Sequence, residues 1–436
     1  MNICLRIAAT LGMGLLIGLT ACAPSSPSPL QPAQPAGALV KSDKQQVASP
    51  QVSPADARAL VDGNNAFAFD LYGALKDDGG NLFYSPYSIS LALAMTYAGA
   101  QGTTASQMAD TLHYTLPQTS LHPAFNSLDS QLSKRGQGAR GKDGKGFRLN
   151  IVNAIWGQKG YEFLTSFLDT LADNYGAGLR ILDFAAAPEP ARLTINKWVT
   201  DQTEGRIEDL IPQGVIDIYT RLVLTNAIYF NAAWQYPFEK GATAQGPFHL
   251  LDGSQLNVPL MHQTESLRYI EGKDYQAVEL PYDGRETSML ILLPRTGQFT
   301  AFEKTLDAKQ VASIVNALET RRVELTLPRF EFTRDFSLKK TLSTLGMQDA
   351  FSGKADFSGM TGKRDLQISD VIHKAFVGVD ESGTEAAAAT AVVMRETAMP
   401  AGDVIEVTID RPFIFLIRDN STGTVLFIGR VLDPGA

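Results

Sequence analysis

From Glu381 to Pro400 the chain reads Glu-Ser-Gly-Thr-Glu-Ala-Ala-Ala-Ala-Thr-Ala-Val-Val-Met-Arg-Glu-Thr-Ala-Met-Pro, and the conformation open to this stretch decides the fold around it. An alanine-rich run capped by Ser382 or Thr384 makes a good surface helix. Laid out as a strand instead, Thr384, Ala386, Ala388, Thr390 and Val392 face one way, and Glu385, Ala387, Ala389 and Ala391 face the other. The first face is small and free of charge, so a sheet could take it in without clashes. Local pattern leaves both conformations open.

The 436 residues are 44% hydrophobic, enough for a substantial core. A net charge of −8 supplies no general basic field, which argues against nucleic acid as a partner. The first residues look exported: Arg6 precedes an apolar run from Ile7 to Leu19, and Leu19-Thr20-Ala21-Cys22 resembles a bacterial lipobox. Residues 1–21 are thus expected to be a signal peptide, with a lipid on Cys22 holding the protein to the cell envelope. Ala23 after that cysteine points to the outer membrane, with an extracellular product as the alternative. Cys4 would leave with the signal, so the folded part has no disulfide and no thiol.

Residues 22–54, rich in Pro, Ser, Ala and Gln, have the composition of a solvated tether. From residue 55 to 436 the pattern is that of one domain. Ser85-Pro86 is a helix start, serine as cap and proline in the first turn, and Tyr87 to Ala98 is apolar nearly all round, as in a buried helix. Thr104 and Gln107 suggest a capping box for a helix to His113. Leu149–Trp156, Leu222–Phe230 and Ser288–Leu293 have strand character, and Phe302–Leu318 predicts one long amphipathic helix. Pro328 implies a bend or an edge within Val323–Phe332. Phe413–Ile417 and Val425–Ile428 form a hairpin. Helices and strands are interspersed without regular alternation, which favours an α+β fold with largely antiparallel sheets.

Catalytic chemistry is hard to find. The five histidines, His113, His122, His249, His262 and His373, have no metal-ligand spacing, and neither a Gly-x-Ser-x-Gly elbow nor a dinucleotide fingerprint is present. No metal and no cofactor are expected, and a hydrolase reading has no nucleophile to offer. His373 reads as a structural histidine. Gln131–Arg148 is glycine-rich and basic; Gly136, Gly141 and Lys142 come near phosphate-loop spacing, but Asp143 stands where a hydroxyl should hold magnesium. That leaves a solvated basic loop or a polyanion site at Lys134, Arg135, Arg140 and Lys142.

Several segments together resemble the serpins: Asn81–Gly102, Asn226-Ala227-Ile228-Tyr229-Phe230, Trp234, Leu327–Phe332, His373-Lys374-Ala375, Gly383–Thr390 and Arg411-Pro412-Phe413 through Gly429-Arg430-Val431. The resemblance implies three β-sheets, eight or nine helices and an exposed reactive-centre loop at about 381–403. It also implies a monomeric inhibitor that a serine protease attacks as substrate, whereupon the cut loop inserts into the main sheet and traps the covalent acyl complex. The hinge would comprise Glu381, Gly383, Thr384, Ala386, Ala387, Ala388 and Ala389. Ser382 departs from a common acidic residue, and the frequent Lys-Gly is missing at Asn231-Ala232.

By the same resemblance Ser85, Ser88, Asn226 and His373 form a polar cluster that controls sheet opening, and Trp234 marks the entry of the loop. Counting sixteen residues from Glu381 places the scissile bond between Thr397 and Ala398. A small residue there suits an elastase-like protease. Arg395 would make the target trypsin-like, and Met399 is disfavoured by Pro400. Cysteine proteases are a further target class, and a non-inhibitory binding or chaperone-like serpin is the alternative function.

Overall fold

The computed structural model describes residues 37–141, 144, 146–384 and 403–436. In chain order the strands and helices begin with β1 (Ala38–Val40), α1 (Pro54–Leu75), β2 (Leu82–Tyr84), α2 (Pro86–Tyr97), α3 (Gly102–Leu112) and α4 (Gln118–Leu132). Next come β3 (Arg148–Gln158), α5 (Thr165–Tyr175), β4 (Leu179–Leu182), α6 (Pro188–Gln202), β5 (Leu222–Ala233), β6 (Ala244–His249), β7 (Gln255–Glu271), β8 (Tyr275–Pro281) and β9 (Thr287–Pro294). The remainder is α7 (Phe299–Thr305), α8 (Ala308–Ala317), β10 (Glu319–Pro328), β11 (Phe330–Ser337), α9 (Lys339–Leu345), α10 (Ser358–Thr361), β12 (Asp370–Asp380), β13 (Gly383–Thr384), β14 (Ile405–Thr408), β15 (Phe413–Asp419) and β16 (Val425–Val431).

The α+β class holds. Among the described residues the strands form two hydrogen-bonded sheets, of seven strands in the order β1-β4-β3-β5-β13-β12-β11 and of nine. The expected three become two because the 17-residue β7 runs from one ladder into the next: it pairs with β6 at one end, with β8 at the other and with β10 along most of its length. There are ten α-helices among the described residues, against the eight or nine expected. Part of the difference is the predicted 302–318 helix, which is broken. Leu306 is extended, and the Asp307 side chain accepts the Gln310 N–H to start α8 afresh.

Ser85 caps α2 as expected, its side chain accepting the Ser88 N–H, and every residue of that helix is buried. It packs on β3 and β5 of one sheet and on β16 of the other, so it is the central post between them. On the opposite face of β3, β5 and β12, a second core of Trp156, Ile195, Val199, Val223 and Ala227 lies under α6. The capping box at Thr104 is not formed. The helix begins at Gly102, and Thr104 and Gln107 instead accept backbone N–H groups of Asp356 and Asp349. Pro328 ends β10 in one sheet, and β11 begins at Phe330 in the other, so the proline marks a corner.

The tether boundary needs correction. Residues 38–47, assigned by composition to a solvated tether, lie on the body. Ala38, Leu39 and Val40 pair antiparallel with Ile181, Arg180 and Leu179 at the edge of the seven-stranded sheet. Farther on, Ser42 donates to Asp169, Lys44 pairs with Asp173, and Gln46 and Val47 bond with Asn126. The segment is held by backbone pairing and polar side chains, with Leu39 left exposed, so no buried apolar run marks it, which is why composition misses it.

Candidate functional site

The site is the seam between β5 and β12 in the seven-stranded sheet. The two strands run parallel and pair over six positions, Val223–Ile228 against Asp370–Ala375. At the upper end β13 wedges between them, antiparallel to both: Gly383 and Thr384 face Ala233 and Ala232 on one side, and Asp380 and Val379 on the other. Thr384, the first residue of the strand face read from the sequence, is therefore already in the sheet.

Gly383 is there because nothing else fits. Its φ is +155°, and a Cβ would come within 2.1 Å of the Ala232 carbonyl oxygen. Thr384 is buried with its face inward, its hydroxyl 2.7 Å from the Tyr282 hydroxyl. Tyr282 stacks on Trp234 with ring centroids 4.7 Å apart. Trp234 in turn holds the hinge by two bonds: its indole N–H donates to the Asp380 carbonyl at 2.9 Å and its backbone N–H to the Ser382 carbonyl at 3.0 Å. Trp234 lies just past the end of β5, at the mouth of the seam, and Ser382 lies in the turn before β13.

Glu381 is 1% exposed, and its carboxylate receives the guanidinium of Arg329 and the hydroxyl of Thr243. Burial pushes this carboxyl up, but the Arg329 and Thr243 hydrogen bonds outweigh it and hold it below the usual range. Arg329 is the residue between β10 and β11, at the corner that Pro328 makes. The sequence marked the corner but not the ion pair.

Midway down the seam the polar cluster is assembled. Asn226 and His373 are register partners. The Ser85 N–H donates to His373 Nε2 at 3.2 Å, so the ring proton sits on Nδ1 and is donated to Asn226 Oδ1 at 2.5 Å. Asn226 Nδ2 donates to Ser88 Oγ and to Asn153 Oδ1, while Ser85 Oγ donates to the Leu426 carbonyl. Ser85, Ser88, Asn226 and His373 have no exposed surface. Burial pushes the His373 pKa down to about 3, so the ring is neutral. Asn153 is a member that sequence reasoning missed; a lone asparagine in Ile-Val-Asn-Ala-Ile-Trp was the available signal. The cluster ties β5, β12, β3 and the start of α2 together by hydrogen bonds.

The basic loop is a different matter. Arg135 binds Asp419, with Glu286 at 3.4 Å, and Arg140 binds Asp283. Carboxylates thus already pair two of the four cations named for a polyanion, Arg135 and Arg140, and Lys142 lies outside the described residues. The loop also packs locally: the Ala233 N–H donates to the Arg140 carbonyl, bracing β5 beside the hinge. Ala386, Ala387, Ala388, Ala389, Arg395, Thr397, Ala398 and Cys22 also lie outside the described residues. Among the described residues no cluster of His, Cys, Asp and Glu could hold a metal ion.

The family model described as Serpin (serine protease inhibitor) matches residues 62–434. The chain is 41% identical over 387 residues to the leukocyte elastase inhibitor of Homo sapiens, covering 86% of this chain and 99% of that protein. It is 40% identical over 378 residues to an uncharacterized serpin-like protein of Thermococcus kodakarensis, covering 86% of each. Among solved structures it is similar to the thermophilic serpin tengpin in the native state, with a TM-score of 0.79, 30% identity and coverage of 89% of this chain and 97% of that one. With seam, hinge and polar cluster in place and the match spanning the folded body, the chain belongs to the serpin family of protease inhibitors.

Proposed function

We propose that the protein is a suicide-substrate inhibitor of serine endopeptidases, acting through insertion of its cut loop between β5 and β12. The target's serine oxygen attacks the Thr397 carbonyl carbon and the bond to Ala398 breaks. The Ala398 nitrogen leaves with a proton as a new amino terminus, and the acyl group stays on the protease as an ester. Insertion must then outrun hydrolysis of that ester.

The observation that carries the reading is the register of β13. Continued down the seam, it sets Thr390 level with both Asn226 and His373. Residues directly opposite share a face in a sheet, so the Thr390 hydroxyl would replace Asn226 as the partner of His373. The cluster would then keep its hydrogen bonds in the closed and the expanded sheet, and parting the strands leaves no buried polar group stranded. The small face of Thr384, Ala386, Ala388, Thr390 and Val392 enters without bulk.

A small residue at Thr397, together with the elastase inhibitors among the relatives, favours an elastase-like target. We further propose that Cys22 carries a lipid that anchors the protein to the cell envelope, at the outer membrane. Radiolabelled palmitate incorporation lost in Cys22→Ser is the expected result, and retained labelling counts against the anchor.

The functional test is to mix the purified domain with elastase and with trypsin, resolve the products on denaturing gels and locate the cut by mass spectrometry. A denaturant-stable complex with elastase, cut after Thr397, is expected. Trapping of trypsin after Arg395 would keep the mechanism and change the target. Clean cleavage without a complex would favour the non-inhibitory, binding role.

A further inference from the structure

We propose that the open cleft between the end of α1, the break from α7 to α8 and the end of α9 is a binding site for a small aliphatic carboxylate. The cleft shares no residue with the seam between β5 and β12, so the site stands or falls independently of the inhibitory reading.

The cleft has a volume of about 430 Å³, which falls in the size range of small-molecule sites. Gly73 lines it, and the reason for a glycine there lies outside the protein. Of the two glycines in α1, Gly63 is explained by packing, since a Cβ would collide with the His113 carbonyl oxygen where α3 ends. A Cβ on Gly73 would meet nothing within 4 Å. Nor is Gly73 a cap: α1 runs on to Lys76, which is right-handed, and then into a 3-10 turn that ends at Asp78. A glycine at such a position weakens a helix relative to alanine, and what it gives in return is bare backbone that a bound molecule can lie against. The opposite side of the cleft comes from the helix break. Because α7 stops at Thr305 and Leu306 is extended, Lys304 and Leu306 border the cleft.

The side chains around this opening select the chemistry of the occupant. Phe69 and Leu306, both buried, and the half-buried Leu345 give it an apolar wall. Both carboxylates on its border are engaged: Glu303 accepts the Tyr72 hydroxyl at 2.7 Å and the Arg430 guanidinium at 2.8 Å, and Asp70 bonds His113 Nε2 at 2.6 Å. The two lysines on the border, Lys76 and Lys304, have no hydrogen-bond or ion-pair partner for their ammonium groups among the described residues. They differ in this from Arg135 and Arg140 of the basic loop, which carboxylates already hold. Arg430 also donates to the Lys76 and Gly80 carbonyls, so the negative end of α1 is partly neutralised from within the protein and does not repel an anion. An apolar wall beside two uncommitted ammonium groups fits a ligand with an aliphatic body and a carboxylate head.

The test is titration calorimetry with decanoate, and with uncharged decanol as the control probe. It compares the wild type with Gly73→Leu and with the double variant Lys76→Gln, Lys304→Gln. The leucine Cβ would stand in open space and the lysine ammonium groups hold no partner, so all three proteins should fold, and their melting curves check this. Wild type should bind decanoate saturably. Gly73→Leu fills the cleft and should lose roughly tenfold or more in affinity, whereas the lysine variant should lose about tenfold for decanoate and stay within about twofold for decanol. Absence of saturable binding to the wild type below millimolar decanoate overturns the site. Binding that Gly73→Leu leaves within about twofold of wild type puts the ligand elsewhere and overturns it too. Equal wild-type affinity for decanol and decanoate overturns the role given to the lysines. Trapping of elastase is read separately, and its loss or retention in the wild type bears only on the inhibitory reading.

Discussion

Protonation of His373 should weaken the native protein at mildly acidic pH, and the size of the effect follows from the seam. In the folded state burial holds the ring's pKa at about 3, against 6.5 for the ordinary group. The unfolded chain therefore binds the proton first as pH falls. Stability from this group is intact above about 6.5, declines as pH drops and stops declining below about 3. At pH 5 the loss is about 2 kcal/mol, with a ceiling of about 5 kcal/mol approached only below the folded pKa. The structural reason is plain: Nε2 accepts the Ser85 N–H and Nδ1 donates to Asn226, so a second ring proton would face another donor at a fully buried site. His122, on the buried face of α4 and pushed down to about 4 by burial, contributes in the same direction. His373→Gln removes one of these two titrations and keeps a neutral hydrogen-bonding side chain. Urea unfolding at pH 7.5 and pH 5.0 is the assay, and the wild type should lose about 2 kcal/mol more than the variant between the two. Equal losses would refute the assignment of His373 as a buried neutral ring.

Thr384→Arg puts a cation on a face that is 1% exposed and leaves Tyr282 without its partner, a cost of several kcal/mol that should expel β13 from the seam. A barrier to insertion raised by about 3 kcal/mol slows it on the order of a hundredfold, so titration against elastase should show most of the variant cleaved as substrate; an unchanged stoichiometry of inhibition would speak against insertion. Arg329→Ala leaves the Glu381 carboxylate buried without its cation, and a loss of about 3 kcal/mol or more in native stability is expected at pH 7. Calorimetry reads it, and a change under 1 kcal/mol would mean that the pair is not what fixes the hinge. Deleting residues 1–47 removes the β1 pairing and the bonds among Gln46, Val47, Asn126 and Asp173. At about 1 kcal/mol each, the three hydrogen bonds Gln46–Asn126, Asn126–Val47 and Val47–Asp173 alone predict a loss of roughly 3 kcal/mol. No change relative to a chain beginning at residue 37 would show that the segment is passive.

Much of the fold was legible because it depends on local rules that leave marks on neighbouring residues. Ser85-Pro86 before an all-apolar run specified a capped, buried helix, Pro328 marked the corner between sheets, and alternation after Thr384 showed which face a sheet could accept. What escaped were features made by partners distant in sequence. Asn153 matters only because β3 lies beside β5, and Glu381 finds Arg329 only because a corner brings it there. Arg135 and Arg140 of the basic loop looked free until Asp283, Glu286 and Asp419 were brought against them. Asp307 is the exception, since an aspartate three residues before Gln310 was a readable stop and restart in the predicted long helix.

The most direct test of the central claim is the melting temperature of the protein before and after its loop is cut between Glu385 and Pro400 by a protease that is not trapped. If the cut loop fills the seam as a strand between β5 and β12, the cleaved protein should melt more than about 10 °C higher. For a chain of this length that is on the order of 10 kcal/mol of added stability. A melting temperature unchanged or lowered by the cut would contradict the account, because a loop that does not enter the sheet cannot trap a protease.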